Sequence, residues 1–325
     1  KFAESLNPRF KIQYWAWPAT LMRAITTAYA EKGHFEKGKV AMSGGSKNGA
    51  SPSMAIIHDE RMTAVHATVS PIWDSPLRLN DDQAWKELRA QGGRNGGFTG
   101  GHFGPNFNRR VLDSGGTWKD LQKFTRDISD GVFISRNLEA LRKRSVDMLF
   151  HPGTHDMVAF DMAWGGKNHP SIPVYLGANS GHGKRGHPKT ERDQQNKAAF
   201  MLKHFFPNKV KGSLLAPPKV QHEVKGKSIE VTVTFPEGSQ EESGRIWWIF
   251  DRLPDGSPKY LTEMIPDEQT MQMKRAGNQW KATIRIGPQA SRIDFFSNHR
   301  KTLRYKENSY RSYLSSPYTR VKLSE

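Results

Sequence analysis

The first 212 residues alternate short apolar segments with longer amphipathic ones, and this alternation limits the folds that the chain can adopt. The periodicity predicts strands at 39–43, 62–69, 146–151 and 172–176. It predicts helices at 12–33, 47–57, 137–144 and 193–206, and Pro52 fits the second of these only in its first turn. Strands that alternate with helices form a parallel sheet with helices on its faces. The sequence therefore predicts the α/β class, with a mostly parallel sheet and flanking helices.

A long insertion, about residues 72–135, separates the second predicted strand from the third and is rich in glycine. Loops of this length inside a compact domain are usually functional or disordered. We interpret it as a cap over a site, with five aromatic side chains as candidates for contact with a substrate: Trp73, Trp85, Phe98, Phe103 and Phe107. Packing of the cap on itself explains each of these aromatics equally well.

The pattern changes near Pro217 and Pro218, because strands then recur without helices between them. Segments 228–235, 245–250, 279–286 and 292–296 are the predicted strands. Short strands at regular spacing predict an all-β domain, an immunoglobulin-like sandwich. We therefore expect a first domain at 1–212 and a second at 213–325. The second is expected to pack against the first rather than to bind carbohydrate.

The composition excludes several classes of protein. The 325 residues include no cysteine, which rules out disulfides, thiolate nucleophiles and sulfur-based zinc sites. No apolar run approaches the roughly 20 residues of a transmembrane helix. The net charge of +17 predicts attraction to anionic surfaces, but no zinc-finger, RNP or helix-turn-helix pattern accompanies the basic residues. We therefore expect no nucleic-acid partner, and the sequence indicates no oligomeric state.

The segment Gly-Gly-Ser-Lys-Asn-Gly at 44–49 lies where a predicted strand passes into a predicted helix. A nucleophilic serine at such a turn needs small neighbours, because the turn is sharp and strained. Ser46 is the candidate nucleophile, and Gly44 satisfies the requirement two residues before it. Asn48 departs from the common G-x-S-x-G pattern, and Gly49 arrives one position late.

An acid and a histidine follow the next-to-last and last predicted strands of this region. Gly-Thr-His-Asp at 153–156 ends on Asp156, and Asn-Ser-Gly-His at 179–182 ends on His182. Serine, acid, histidine is the order of the α/β-hydrolase fold. We expect His182 to act as general base for Ser46 and Asp156 to orient its imidazole. Asp161 is a rival acid, and His187 is a weaker rival base.

The oxyanion of such a reaction needs hydrogen-bond donors. The backbone N–H of Lys47, at the start of the helix, is the first candidate. The second donor comes from a loop well before the serine, and only 45 residues precede Ser46. We therefore expect the early strands of the fold to be missing from this chain. The chain begins at Lys1 without an initiator methionine or a signal segment, which indicates either a processed chain or a fragment. We expect a secreted or periplasmic location.

Cofactor and metal sites are not indicated by the sequence. The glycines of the insertion do not follow a strand in the G-x-G-x-x-G order of dinucleotide sites. Four histidines were considered as a metal cluster, but their spacing matches no helical H-x-x-x-H pair: His155, His169, His182 and His187. We therefore expect neither a cofactor nor a metal ion.

The motifs resemble those of the PhoPQ-activated pathogenicity-related proteins of the PqaA type. The resemblance rests on Ser-Lys-x-Gly at 46–49, the acid and histidine motifs, Tyr-Trp-Ala-Trp at 14–17 and Leu-Met-Arg-Ala at 21–24. It covers most of the chain, although only the serine, acid and histidine motifs are specific. The resemblance implies an α/β-hydrolase domain with a cap insertion, followed by an all-β module.

The serine motif is also similar to the Gly-x-Ser-Arg-x-Gly of glucuronoyl esterases, in which the basic residue is implied to stabilise the oxyanion. Lys47 stands at that position and lacks the arginine fork. Together the resemblances imply hydrolysis of an ester or related acyl bond and indicate no particular substrate. We expect a small-molecule or carbohydrate ester, and the net charge and Lys47 favour an anionic one such as a uronate. The alternatives are a non-catalytic secreted signalling or binding protein on a hydrolase scaffold and an anion-binding module.

Overall fold

The computed structural model describes residues 13–31, 33–35, 38–68, 72–90, 115–156, 158–182, 189–255 and 263–323, and all of their side chains except those of 13–15, 89, 124 and 189–191. Contacts within the chain divide it into two units. The first comprises Lys1–His151, Met157–Phe160 and Gly256–Pro258, and the second comprises Pro152–Asp156, Asp161–Asp255 and Lys259–Glu325. The domain boundary expected after residue 212 stays a prediction.

A parallel sheet lies at the centre of the first unit. Its strands are β1 (Ala41–Gly45), β2 (Ala64–Thr68) and β3 (Asp147–His151), in that spatial order. The register pairs Gly45 with Thr68 and Thr68 with His151, so the carboxyl ends of the three strands lie at one edge. The expected parallel sheet is confirmed for these strands.

The helices of the first unit are, in chain order, α1 (Gln13–Ala30), α2 (Lys47–His58), α3 (Asp82–Ala90), α4 (Trp118–Ile128) and α5 (Ile134–Lys143), with a 3₁₀ turn at Ser129–Gly131. α2 packs against α1, α5, β1 and β2. Its buried Ala50 and Met54 form a core cluster with Val132 and Phe133. Burial of this apolar face holds the start of α2 at the end of β1.

Pro52 lies deeper in α2 than expected. The sequence interpretation allowed a proline only in the first turn, where its missing N–H has no intrahelical acceptor. α2 begins at Lys47, so Pro52 falls in the second turn, and the helix continues to His58. A proline at this position cannot donate to the carbonyl of Asn48, four residues earlier.

The insertion between β2 and β3 contains α3, α4 and the 3₁₀ turn. Trp73 and Trp85 are 3% and 0% exposed, and the ring of Trp85 meets that of Trp118 edge-on at 5.7 Å. These two aromatics are therefore buried by packing, as the alternative reading of the insertion proposed. Phe98, Phe103 and Phe107 lie outside the described residues.

The segment 172–176 is not a strand of the parallel sheet, and the prediction of a fourth strand there was wrong. An isolated parallel bridge joins Gly153 to Gly177 instead. The amide of Leu176 donates to the Ser315 side chain at 2.7 Å, and the carbonyl of Val174 accepts from the Ser315 amide at 2.8 Å. Because these partners replace a neighbouring strand, no continuous ladder forms.

Two antiparallel sheets dominate the second unit. One has the order β11-β10-β6-β7 with β12 paired to β10, and the other has the order β4-β5-β9-β8. The strands are β4 (Lys219–Lys225), β5 (Ser228–Thr234), β6 (Ser243–Phe250), β7 (Thr270–Gln272), β8 (Lys274–Ala276), β9 (Gln279–Arg285), β10 (Arg292–Tyr305), β11 (Asn308–Ser315) and β12 (Thr319–Lys322). His299 of β10 meets Trp280 of β9 at 5.6 Å, so the two sheets pack on each other.

Helices α6 (Met162–Asn168) and α7 (Lys189–Phe205) also belong to the second unit. The side chain of Asn196 in α7 bonds both backbone groups of Tyr313 in β11, at 3.0 and 2.9 Å. This pair of bonds fixes α7 to the edge of the sheet. None of the described helices is long and apolar enough to cross a membrane.

Candidate active site

Ser46 occupies a strained turn between β1 and α2. Its backbone angles are φ 57° and ψ −125°, a region that residues with a side chain rarely adopt. The Ser46 amide donates to the Thr68 carbonyl at 2.9 Å, and the Ser46 carbonyl accepts from the amides of Gly49 and Ala50, each at 2.9 Å. The strand and the helix therefore hold the turn from both sides.

Gly44 and Gly49 permit the close approach of backbone segments at this turn. A Cβ at Gly44 would lie 2.0 Å from the carbonyl oxygen of Asn48, and one at Gly49 would lie 2.7 Å from that of Thr68. A Cβ at Gly45 meets nothing nearer than 3.7 Å. The glycine three residues after Ser46 is thus a steric requirement, although it departs from the common motif.

We expect Gly44→Ala and Gly49→Ala each to lower the free energy of unfolding of the first unit by about 3 kcal/mol or more, because the new methyl group collides with backbone that cannot move independently. Gly45→Ala is the matched control and should change it by less than about 1 kcal/mol. Urea unfolding of the three variants measures the difference. Equal losses in all three would contradict the steric explanation.

Asp156 and His182 form a hydrogen-bonded pair in the second unit. His182 Nδ1 lies 3.0 Å from Oδ2 and 3.2 Å from Oδ1 of Asp156. The carboxylate is fully buried, whereas the His182 side chain is 34% exposed. A buried carboxylate at Nδ1 holds the proton on that nitrogen and leaves Nε2 as the acceptor. The pair therefore has the geometry of a general base with its orienting acid.

The turns that carry this pair are packed backbone to backbone. The His155 amide donates to the Ser180 carbonyl at 2.8 Å, beside the bridge between Gly153 and Gly177. A Cβ at Gly153 would lie 2.5 Å from the Ser180 oxygen, so only glycine allows this approach. The acid and histidine turns are consequently one structural element.

Residues after β6 anchor both turns. The Arg252 guanidinium, 1% exposed, donates to the Thr154 carbonyl and to the Tyr318 hydroxyl, the latter at 2.8 Å. Asn179 has φ 55°, and its amide group bonds the carbonyl and the amide of Ile265 at 2.8 and 2.7 Å. Hydrogen bonds from a charged donor are among the stronger ones in proteins. Connections between strands of the antiparallel sheets thereby position the residues around Asp156 and His182.

His155 is a second histidine in these turns, but its environment keeps it neutral. Burial lowers its pKa to about 3, and the neighbouring Arg252 charge acts in the same direction. Nε2 bonds the Glu263 carbonyl, which can only accept, so Nε2 carries the proton. Nδ1 lies 2.9 Å from the Thr154 hydroxyl, whose single proton also has the Gly177 carbonyl as acceptor at 2.9 Å. His155 is 5% exposed and bonded to backbone through Nε2, so it has a structural role.

The neutral state of His155 predicts acid sensitivity. Its folded-state pKa of about 3 lies below the ordinary value of 6.5, so its contribution to stability is full above about pH 6.5 and is lost as the pH falls toward 3. We expect a loss of about 1.4 kcal/mol per pH unit between about pH 6 and 4 in the wild type relative to His155→Gln. Glutamine keeps a donor and an acceptor but does not titrate.

The measurement is the free energy of urea unfolding of both proteins at several pH values. His34→Gln, at an exposed histidine, is the control and should follow the wild type. If the wild type and His155→Gln lose stability in parallel as the pH falls, the protonation of His155 does not oppose folding.

The remaining candidate site residues are Lys47, Asp161 and His187. Lys47 is exposed at the start of α2, and its ammonium lies 5.9 Å from the centre of the Trp17 ring, in the first unit with Ser46. Asp161 precedes α6 and is 1% exposed, and the carboxylate that bonds His182 is that of Asp156. His187, the rival base, lies outside the described residues.

Sequence reasoning missed Arg252 and Asn179 as positioning residues. Asn179 carried a usable signal, because asparagine is one of the few residues that adopt positive φ readily. Arg252 carried none, since a single arginine after a strand is most often exposed. Its role depends on a carbonyl 98 residues away.

Comparison with models of known protein families finds no match, and no curated protein matches the chain. Among solved structures, the chain is similar to a DUF3823 family protein from Bacteroides ovatus ATCC 8483, with 14% identity over 33% of this chain and 54% of that one and a TM-score of 0.21. It is also similar to a carboxylesterase of the ammonia-oxidizing thaumarchaeon Nitrososphaera gargenis, with 14% identity over 51% of this chain and 64% of that one and a TM-score of 0.28. The chain spans less than two thirds of either structure, and likeness of this degree assigns no function. The family resemblance of the motifs stays a prediction.

Proposed function

We propose that this chain is a serine hydrolase of the α/β-hydrolase type that cleaves an acyl ester, with Ser46 as nucleophile, His182 as general base and Asp156 as the orienting carboxylate. The observation that carries the proposal is the Asp156–His182 pair. Its carboxylate is fully buried and bonds Nδ1, while Nε2 has no hydrogen-bond partner among the described residues. A neutral imidazole held in this way accepts a proton at Nε2.

Two features of the first unit support the assignment of Ser46. The strained turn at the end of β1 has the strand-to-helix context of a nucleophile elbow. The chain that leads to Asp156 leaves the same sheet at the carboxyl end of β3. Parallel strands direct their carboxyl ends to one edge, where active sites of α/β folds lie.

The reaction follows the scheme of acyl transfer to serine. Ser46 Oγ attacks the ester carbonyl carbon while His182 Nε2 takes the hydroxyl proton, and the C–O bond to the alcohol then breaks as that proton passes to the leaving oxygen. Water attacks the acyl-enzyme with His182 again as base, which releases the acid and restores Ser46. The Lys47 N–H, among the first amides of α2, is our candidate donor to the oxyanion.

A fluorophosphonate probe tests the proposal directly, because it reacts with activated serines. We expect the full chain to be labelled on the peptide that contains Ser46, as identified by mass spectrometry. Ser46→Ala should abolish labelling, whereas Ser43→Ala, at a serine of β1, is the matched control and should retain it. Absence of labelling in the folded wild type would favour a non-catalytic protein on a hydrolase scaffold.

We further propose an anionic ester, such as a uronate ester of a polysaccharide, as the substrate. The net charge of +17 supports this class, because it raises the local concentration of anionic substrates. The expected result is a higher kcat/KM for acidic than for neutral esters, with a difference that shrinks as salt is added. Equal rates for both classes at all salt concentrations would contradict it.

A further inference from the structure

A cavity of about 350 Å³ lies in the second unit, and its lining contains none of the residues 153–156 and 179–182 that form the acid and histidine turns. It is formed by α7 and by strands of the sheet that contains β6, β10 and β11. Its charged and aromatic lining includes Arg192, Arg245, Arg300, Arg311, Trp247 and Tyr313. The volume is at the lower end of the range of roughly 300–1,000 Å³ that small-molecule sites occupy.

The charge of this cavity is strongly positive. Its lining has four arginines and no carboxylate among the residues that the structure describes. Arg300 has Glu242 at 3.3 Å as a partial counter-charge. Arg245 has neutral partners. Its guanidinium donates to the Thr270 hydroxyl at 3.3 Å. It also donates to the side-chain oxygen of Gln272 at 3.1 Å when the Gln272 amide is oriented so that its nitrogen donates to the Gly244 carbonyl. Asp193 is a further carboxylate near this wall, since its charge acts on Tyr175 together with that of Arg192. The cavity lining is therefore rich in guanidinium groups, with carboxylates behind it rather than in it.

Aromatic rings form another part of the wall. Tyr175 and Tyr313 are 5.6 Å apart at an interplanar angle of 41°, and the Arg245 guanidinium lies 6.0 Å from the Trp247 ring. Burial raises the pKa of Tyr175 to about 12, so its hydroxyl stays protonated beside Arg192. Tyr175 and Trp247 are 4% and 8% exposed, so this wall is rigid and only a small part of these two rings meets the cavity.

We propose that this cavity binds a uronate residue of an acidic glycan. Arginine forks match the planar carboxylate, and the partly exposed Tyr313 ring offers apolar surface to the C–H face of a pyranose. The amide and hydroxyl groups of Gln195, Ser243 and Gln272 match its hydroxyls. A cavity of this volume suits one or two sugar rings better than a nucleic-acid backbone, which needs a groove that follows several nucleotides. The site uses none of the residues assigned to hydrolysis, so it stands independently of the proposed function.

Isothermal titration calorimetry of the full chain with trigalacturonic acid at low salt tests the proposal. We expect binding that weakens as salt is added. Neutral galactotriose and inorganic phosphate are the comparison ligands, and each should bind at least about tenfold more weakly. The neutral trisaccharide lacks the carboxylates, and phosphate lacks the sugar ring.

The exposed Arg192 and Arg311 allow substitutions that leave the core intact. Arg192→Gln and Arg311→Gln should each weaken trigalacturonate binding by about tenfold. Arg285→Gln, at an exposed arginine of β9 outside the cavity, is the matched control and should bind as the wild type does. Undetectable binding, equal affinity for the neutral trisaccharide or for phosphate, or equal losses in all three variants would overturn the proposal.

Discussion

Replacement of His182 by alanine is expected to lower kcat/KM for an ester substrate by on the order of 10⁴- to 10⁶-fold. The imidazole has two roles in the proposed reaction, since it removes the Ser46 proton and returns a proton to the leaving alcohol. No other histidine of the described turns can replace it, because burial lowers the pKa of His155 to about 3 and its Nε2 is bonded to the Glu263 carbonyl. Steady-state kinetics with an activated ester measures the loss.

His169→Gln is the control for this substitution, because His169 stands in the second unit but outside the acid and histidine turns. It should retain kcat/KM within about threefold. A further arm separates catalysis from folding: the replacement takes a partner from the buried Asp156 carboxylate, so the melting temperature should fall, but the variant should remain folded at the assay temperature, as circular dichroism will show. A His182→Ala protein that is folded and fully active would refute the assignment of the general base.

The sequence was sufficient for the elements whose signal is local. The strands 62–69 and 146–151 were placed by short apolar runs, and the observed β2 and β3 lie within these bounds. The segment 172–176 has the same apolar character, but its backbone partners belong to Ser315, 139 residues from Leu176. Periodicity cannot report a partner so distant in the chain, which is why the predicted fourth strand is absent.

The acid and histidine motifs correctly indicated which two side chains lie close together, although the strand predicted before His182 is absent. Asp156 was preferred to Asp161 because of its turn motif, and the structure pairs Asp156 with His182 although the preceding segment is not a ladder strand. The bridge between Gly153 and Gly177 brings the two turns together in its place. Short glycine-containing motifs therefore retain information about backbone approach even where the larger element was wrongly predicted.

The residues that anchor the acid and histidine turns could not be inferred from short motifs. Arg252 bonds the Thr154 carbonyl, and Asn179 bonds the backbone of Ile265 86 residues away. A side chain that bonds distant backbone leaves no repeat or spacing in the sequence. The expectation that the all-β region only packs on its neighbour overlooked this positioning role.

Asp156→Asn should lower kcat by on the order of 10⁴-fold while KM changes little. Asparagine has nearly the same shape as aspartate, but its amide nitrogen can donate to Nδ1. The imidazole then carries its proton on Nε2 and cannot accept one from Ser46. Asp161→Asn is the companion variant for the rival acid, and it should retain activity within about tenfold. The reverse ranking of the two variants would move the orienting role to Asp161.

A double variant tests whether Asp156 contributes to catalysis only by orienting His182 or also by itself. If Asp156 acts only through His182, then Asp156→Asn adds almost nothing to the loss already caused by His182→Ala, because residues that act as a unit are strongly non-additive. We therefore expect the double variant to have the kcat/KM of His182→Ala within about threefold. A further loss approaching 10⁴-fold would mean that the carboxylate contacts the substrate or stabilises charge by itself, so that its role would not depend on orienting His182.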